Sequence, residues 1–212
     1  MPAGASELMR FMRAIADGDP AIASGLLSTD PALAGQALNT GASRRGPGGF
    51  FLDSIKHHIY AGDTALHVAA ASYQVGLARE LVGAGADVSA RNRRGAQPLH
   101  YAADSFPGDA RWNPEAQAAI IAYLAEAGAD PNATDKSGVA PLHRAVRTRG
   151  AAAVRALIVA GADPQLANKN GSTPMTLATH NTGRGGTGSA EAVAEQVEII
   201  RTLELHDAEA TP

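Results

Sequence analysis

Gly138-Val-Ala-Pro-Leu-His-Arg-Ala-Val146 is the stretch that decides the fold, because the chain repeats it. Gly62-Asp-Thr-Ala-Leu-His-Val-Ala-Ala70 and Gly95-Ala-Gln-Pro-Leu-His-Tyr-Ala-Ala103 align with it, and Gly171-Ser-Thr-Pro-Met-Thr-Leu-Ala178 is a decayed fourth copy. The leading glycines stand 33, 43 and 33 residues apart. A second ladder, Gly85-Ala-Asp87, Gly128-Ala-Asp130 and Gly161-Ala-Asp163, has steps of 43 and 33, so ten extra residues fall between His100 and Gly128. Self-similarity at a period of about 20 to 50 residues marks a stack of supersecondary units, none of which buries its apolar face alone.

Each unit reads as two helices and a turn. Thr64 and Thr173 are suited to cap a helix N-terminus, and Pro98, Pro141 and Pro174 stand at the first helical position, where a missing N–H is harmless. Second apolar segments follow at Val75 to Val82, Ala116 to Leu124 and Val154 to Val159, each ending before a Gly able to take the left-handed C′ conformation. Asn92-Arg-Arg-Gly95, Asp135-Lys-Ser-Gly138 and Asn168-Lys-Asn-Gly171 carry Asn or Asp first and Gly fourth, the preference of a type I turn.

Helix, helix and protruding turn around Pro-Leu-His-x-Ala, at 33 residues, resembles the ankyrin repeat family over about residues 62–208. The resemblance implies an all-α solenoid of helix-turn-helix repeats with projecting β-hairpin-like turns. The expected division is an N-terminal helical cap over 1–40, an inserted segment over 41–61, and repeats over 62–94, 95–137 (with an insertion at 104–113) and 138–170. A C-terminal capping repeat follows over 171–208, with a Gly-rich loop at 181–189. In the cap, one helix is expected through Glu7 to Ala16, a break at Gly18-Asp19, and a second helix from Pro20. The 104–113 insertion is expected to be a surface loop dispensable for folding, with Trp112 packing on adjacent helix ends.

Composition narrows the function. Hydrophobic residues make up 45% of the chain but aromatics only 4%, which suits close-packed helices and not a base-stacking surface. The net charge of −3 disfavours a nucleic-acid partner, so charge arguments rest on local patches. No cysteine is present, which excludes disulfides and thiolate chemistry. Neither a signal-type apolar run near Met1 nor a membrane-length apolar stretch is visible, so a cytoplasmic location is expected.

Candidate chemistry is sparse. His67, His100 and His143 recur three residues after each cap position, where the ring can bond back to the cap or to neighbouring turn backbone. Repeats stacked about 10 Å apart hold such rings too far apart to share a metal. In Phe50-Phe-Leu-Asp-Ser-Ile55 and His57-His58-Ile59-Tyr60, an amphipathic segment docking on the first repeat is expected, its two histidines diverging by helical spacing. The loop from Gly183 to Ser189 has the glycine spacing of a phosphate-binding loop but Ser189 where the Lys belongs, and it follows a helix. No catalytic constellation is evident, and no metal or cofactor is expected.

What remains is a binding module. The resemblance implies that turn tips and the exposed face of the first helices meet a partner, usually a protein. Carried onto this chain, that surface comprises Tyr60, Asp63, Arg91, Arg93 and Arg94, then Asp104 and Ser105. Lys136, Ser137, Val139, Arg147 and Thr148 continue it to Lys169, Asn170, Thr179 and His180. Cations at Arg93, Arg94, Lys136 and Lys169 occupy corresponding places in three turns, which points to a partner with an acidic surface. The alternative is a small-molecule or anion binder, or an enzyme, that uses the inserted loops as a pocket.

Overall fold

The computed structural model describes residues 3–43, 49–110, 112–179 and 190–210. Its first unit pairs α1 (Ala3–Ala16) with α2 (Pro20–Thr29) across the Gly18-Asp19 break. Gly18 adopts φ +72°, and Asp19 caps α2 by accepting the Ile22 N–H at 3.0 Å, with Pro20 opening the helix. Four further pairs follow: α3 (Ala65–Ala71) with α4 (Val75–Gly83), α5 (Pro98–Ala102) with α6 (Pro114–Glu126), α7 (Pro141–Arg147) with α8 (Ala151–Val159), and α9 (Pro174–Thr179) with α10 (Ala190–Ala210). Helices α1, α3, α5, α7 and α9 stack as one layer, and α2, α4, α6, α8 and α10 as a second. The protein is an all-α repeat solenoid.

Small side chains make the stacking possible. All seven residues of α3 are buried, five of them Ala or Val, and α5 is buried from Pro98 to Ala102. Leu66, Leu99 and Leu142, one per repeat, lie at the centre of the inner layer and are almost fully buried. Burying each stabilises the stack by about 1.5–3 kcal/mol, and neighbouring alanines let the next helix approach closely.

Between cap and first repeat the chain is extended. Leu38 donates its N–H to Asp63 O (2.9 Å) and accepts from Gly62 N–H (2.7 Å), so this stretch lies along the first turn. Gly41 passes so close to the Tyr60 and Ala61 backbone that a Cβ there would collide with it. The segment then forms an antiparallel hairpin, β1 (Phe51–Leu52) with β2 (His57–His58), in which Phe51 faces His58 and Leu52 faces His57. The helical spacing expected at His57-His58 is therefore corrected to strand spacing. The two rings still diverge, because successive strand residues point to opposite faces. His57 packs on Tyr101 (4.4 Å between centroids) and His58 on Phe51 (4.7 Å), while Leu52 and Ile59 are buried.

The 104–113 insertion is more than a surface loop. Ser105 is buried, with its Oγ 3.1 Å from Gln117 Oε1 and its N–H on Thr148 Oγ1 at 3.0 Å. Gln117 is itself buried and donates to Ala102 O at 2.8 Å. Trp112 Nε1 donates to Gln117 Oε1 at 2.8 Å. The expectation that the insertion as a whole is dispensable is revised: Asp104 and Ser105 are built into the stack. The Gly-rich loop at 181–189 lies outside the described residues.

Candidate functional site

Each turn tip is a closed hydrogen-bonded unit. Asn92 Oδ1 accepts the N–H groups of Arg94 (2.8 Å) and Ala96 (3.1 Å); Asp135 Oδ1 does the same for Ser137 (2.7 Å) and Val139 (3.1 Å), and Asn168 Oδ1 for Asn170 (2.9 Å) and Ser172 (3.1 Å). A short side-chain acceptor at that position is what the turn requires. Gly138 closes its turn at φ +74°, and a Cβ there would lie 2.7 Å from Lys169 N.

Rungs join the tips. Arg93 N–H bonds Ala61 O (2.7 Å), Lys136 N–H bonds Arg94 O (2.9 Å), and Lys169 N–H bonds Ser137 O (3.1 Å). The same register holds at every junction, so Arg93, Lys136 and Lys169 occupy equivalent positions along one edge, and Arg94 stands one residue on, where the next two tips carry Ser137 and Asn170.

The repeat histidines tie the helices to these turns. Nδ1 of His67, His100 and His143 accepts the N–H of Thr64 (3.1 Å), Gln97 (3.2 Å) and Ala140 (3.2 Å). A backbone N–H can only donate, so the proton sits on Nε2, which is given to the next repeat at Ala96 O (3.2 Å), Val139 O (3.0 Å) and Ser172 O (3.1 Å). Burial lowers all three pKa values, His100 to about 3, so the rings are neutral. Both nitrogens of each ring are committed to backbone. In the fourth repeat Thr176 takes the place of the imidazole, its Oγ1 accepting Thr173 N–H at 2.8 Å.

Between the first turn and the inner helices lies a polar chain. Asp63 is fully buried and accepts from Tyr60 N–H (2.6 Å), Asn92 Nδ2 (2.9 Å) and the Tyr101 hydroxyl (2.8 Å). Its Oδ1 is 3.7 Å from His67 Nε2, but that ring is neutral and gives its proton to Ala96 O, so the contact is not an ion pair. Burial, reinforced by Asp63, pushes the Tyr101 hydroxyl well above its ordinary pKa. The Arg144 guanidinium lies 5.7 Å from the centre of the Tyr101 ring and pairs with Asp104 Oδ2 at 2.8 Å. Burial works against the Arg144 charge, yet Asp104 and its neighbours raise its pKa overall.

Above this chain the hairpin and the 104–109 stretch border a cleft of ≈ 510 Å³ lined by Arg94, Arg144, Arg147, Lys56, His57 and Tyr60. Burial lowers the His57 pKa, with Asp104 opposing and Arg144 adding to the effect, so this ring is neutral too.

The expected surface residues separate in this geometry. Lys136, Ser137, Lys169, Asn170 and Thr179 are exposed, and Tyr60, Val139, Arg147 and Thr148 are half-buried along the same side. Asp63 and Ser105 are corrections: both are buried and held by internal hydrogen bonds, so neither presents a side chain to a partner. Asp104 is mostly covered and engaged by Arg144. Arg91 staples two turns, donating to Gly95 O (3.0 Å) and Thr134 O (2.8 Å). Arg93 donates to Ala42 O, and both Arg93 and Arg94 lie over the Tyr60 ring, at 5.3 and 5.2 Å. His180 lies outside the described residues.

Sequence reasoning did not single out Arg144 and Lys56, and it read His57 only as part of a segment docking on the first repeat. A signal for Arg144 exists: it stands where the aligned repeats carry Val68, Tyr101 and Leu177, a cation in an otherwise apolar column.

A stack of helix pairs whose turns are laced by backbone rungs, with an imidazole linking each repeat to the next, is a repeat scaffold built to present a surface. Comparison with protein-family models places it: residues 11–135 match the model described as ankyrin repeats (3 copies), and residues 124–178 that described as ankyrin repeats (many copies). The chain belongs to the ankyrin repeat family, whose repeats generally serve as protein–protein interaction modules and typically as non-catalytic scaffolds. No curated protein matches the chain. Among the described residues, no helix is long and apolar enough to cross a membrane.

Proposed function

We propose that this protein is a non-catalytic binding module of the cytoplasm that takes an acidic segment of a partner protein along its turn tips and concave face. The observation that carries the reading is the cation row. Lys136 and Lys169 occupy the same position in successive, rung-bonded tips, and one turn earlier Arg93 holds that position with Arg94 beside it. Cations about 10 Å apart are separated by on the order of one Debye length at physiological salt, so an extended acidic chain lying along the row meets each of them in turn. The contacting residues under this reading are Tyr60, Arg94, Lys136, Ser137, Val139, Arg147, Thr148, Lys169, Asn170 and Thr179. Arg91 and Arg93 serve mainly to hold the tips, so the decisive variants lie at the lysines.

The test is titration with an oligo-glutamate peptide at two salt concentrations. Binding should weaken as salt rises, and Lys136→Glu with Lys169→Glu should weaken it by about 1–3 kcal/mol with the melting transition unchanged. Binding that ignores both salt and the double variant would remove the tips from the account.

A further inference from the structure

We propose that the cleft between the β1–β2 hairpin and the 104–109 stretch is a ligand site for a small carboxylate with a flat aromatic body; it shares Tyr60, Arg94, Arg147 and Thr148 with the surface described above but rests on a separate observation, the buried Arg144. The cleft, at ≈ 510 Å³, has the size of a small-molecule pocket rather than of a protein interface.

Its charge is set by Lys56, Arg94, Arg144 and Arg147 against Asp104 and Asp109. Asp104 is paired with Arg144 at 2.8 Å and Lys56 with Asp53 at 3.4 Å, while Arg94 lies over the Tyr60 ring at the cleft wall. Arg144 is the anchor. It is nine-tenths buried, its Nη1 is spent on Asp104 and on His100 O (3.3 Å), and its Nε is buried with no hydrogen-bond partner. Among the described residues no hydrogen bond engages its Nη2. A guanidinium held rigidly by one carboxylate, with a donor uncommitted at a cleft wall, is pre-organised for a second oxyanion. Arg144 is the one charge in a column whose other aligned residues, Val68, Tyr101 and Leu177, are apolar or aromatic.

The walls supply the rest of the specificity. Tyr60, His57 and Phe106 are half-buried rings lining the same space. His57 packs in a tilted arrangement on Tyr101, with 4.4 Å between ring centroids. A flat apolar body gains contact area and ring interactions there that a bare anion cannot.

Calorimetric titration of the full chain with benzoate, benzamide and inorganic phosphate tests the proposal. Benzoate should bind saturably at one site, and benzamide and phosphate at least about tenfold more weakly. Arg144→Lys keeps a charge beside Asp104 but loses the fork, and Tyr60→Leu removes a ring wall without touching Arg144; each should weaken benzoate by about tenfold or more. The Lys136→Glu, Lys169→Glu protein should bind benzoate as the parent does. No benzoate binding at millimolar concentration, equal binding of benzamide or phosphate, or undiminished binding in both cleft variants would overturn the site. Failure of the peptide titration with benzoate binding intact would instead remove the tip reading and leave this one standing.

Discussion

Replacing His100 by Asn should destabilise the fold in a manner that depends on pH, and the dependence is what identifies the ring's role. At neutral pH the imidazole satisfies two buried backbone groups, accepting from Gln97 N–H at 3.2 Å and donating to Val139 O at 3.0 Å. Leaving both without their partner costs about 2–4 kcal/mol, and this couples adjacent repeats because Val139 belongs to the next turn. The pH effect follows from burial, which lowers the folded-state pKa from 6.5 to about 3. A depressed histidine pKa means the unfolded chain binds the proton first. The ring's contribution is therefore complete above about pH 6.5, falls as pH drops below that value, and levels off only near the folded-state pKa. At about pH 5 the loss from this one ring is about 2 kcal/mol, from 1.36 kcal/mol per unit over about 1.5 units. Urea unfolding of parent and His100→Asn proteins at about pH 7.5 and about pH 5 should show a gap that shrinks by about 2 kcal/mol on acidification, since only the parent carries the ring. A gap that stays constant would mean the imidazole titrates alike in both states and is not the neutral inter-repeat link described above.

Other outcomes follow from particular contacts. Asp104→Asn should lower stability by about 2–4 kcal/mol in thermal or urea unfolding, because it strands the Arg144 guanidinium, whose side chain is only 11% exposed. Gly150→Ala should cost about 1–3 kcal/mol although its φ of −102° suits any residue, because the new Cβ would overlap Ser105 Oγ; Ser105→Gly in the same chain should restore much of the loss. Shortening residues 106–110 while keeping Asp104, Ser105 and Trp112 should leave cooperative unfolding within about 1 kcal/mol of the parent, whereas a deletion that takes Asp104 and Ser105 should abolish much of it.

Much of this architecture is legible in one dimension because repetition multiplies weak signals. Pro-Leu-His announces a helix start only faintly once, but at aligned places in successive repeats it fixes two layers, a turn and the place of an imidazole between them. Departures from the repeat are harder to read. Asp63 looks like a tip residue by position, yet it stands where the next two repeats carry Ala96 and Val139, and the Tyr101 hydroxyl and Asn92 amide that bury it lie 38 and 29 residues away. Ser105 has the composition of a loop, and only its distant contacts with Gln117 and Thr148 draw it inward. The hairpin at Phe51–His58 escapes periodicity because each strand has only two residues. Arg144 was the recoverable omission, a charge in an apolar column visible without any coordinates.

The central claim is that a partner lies along the turn tips, and the chain carries its own reporters for it. Its only three lysines are Lys56 at the cleft, and Lys136 and Lys169 at the tips. Acetylation rates of each lysine, referenced to the terminal amine, would be measured for the free protein and for its complex with a partner that co-purifies from the source cell. The account predicts that Lys136 and Lys169 are both protected in the complex. Unchanged modification at both lysines with the partner bound would contradict it.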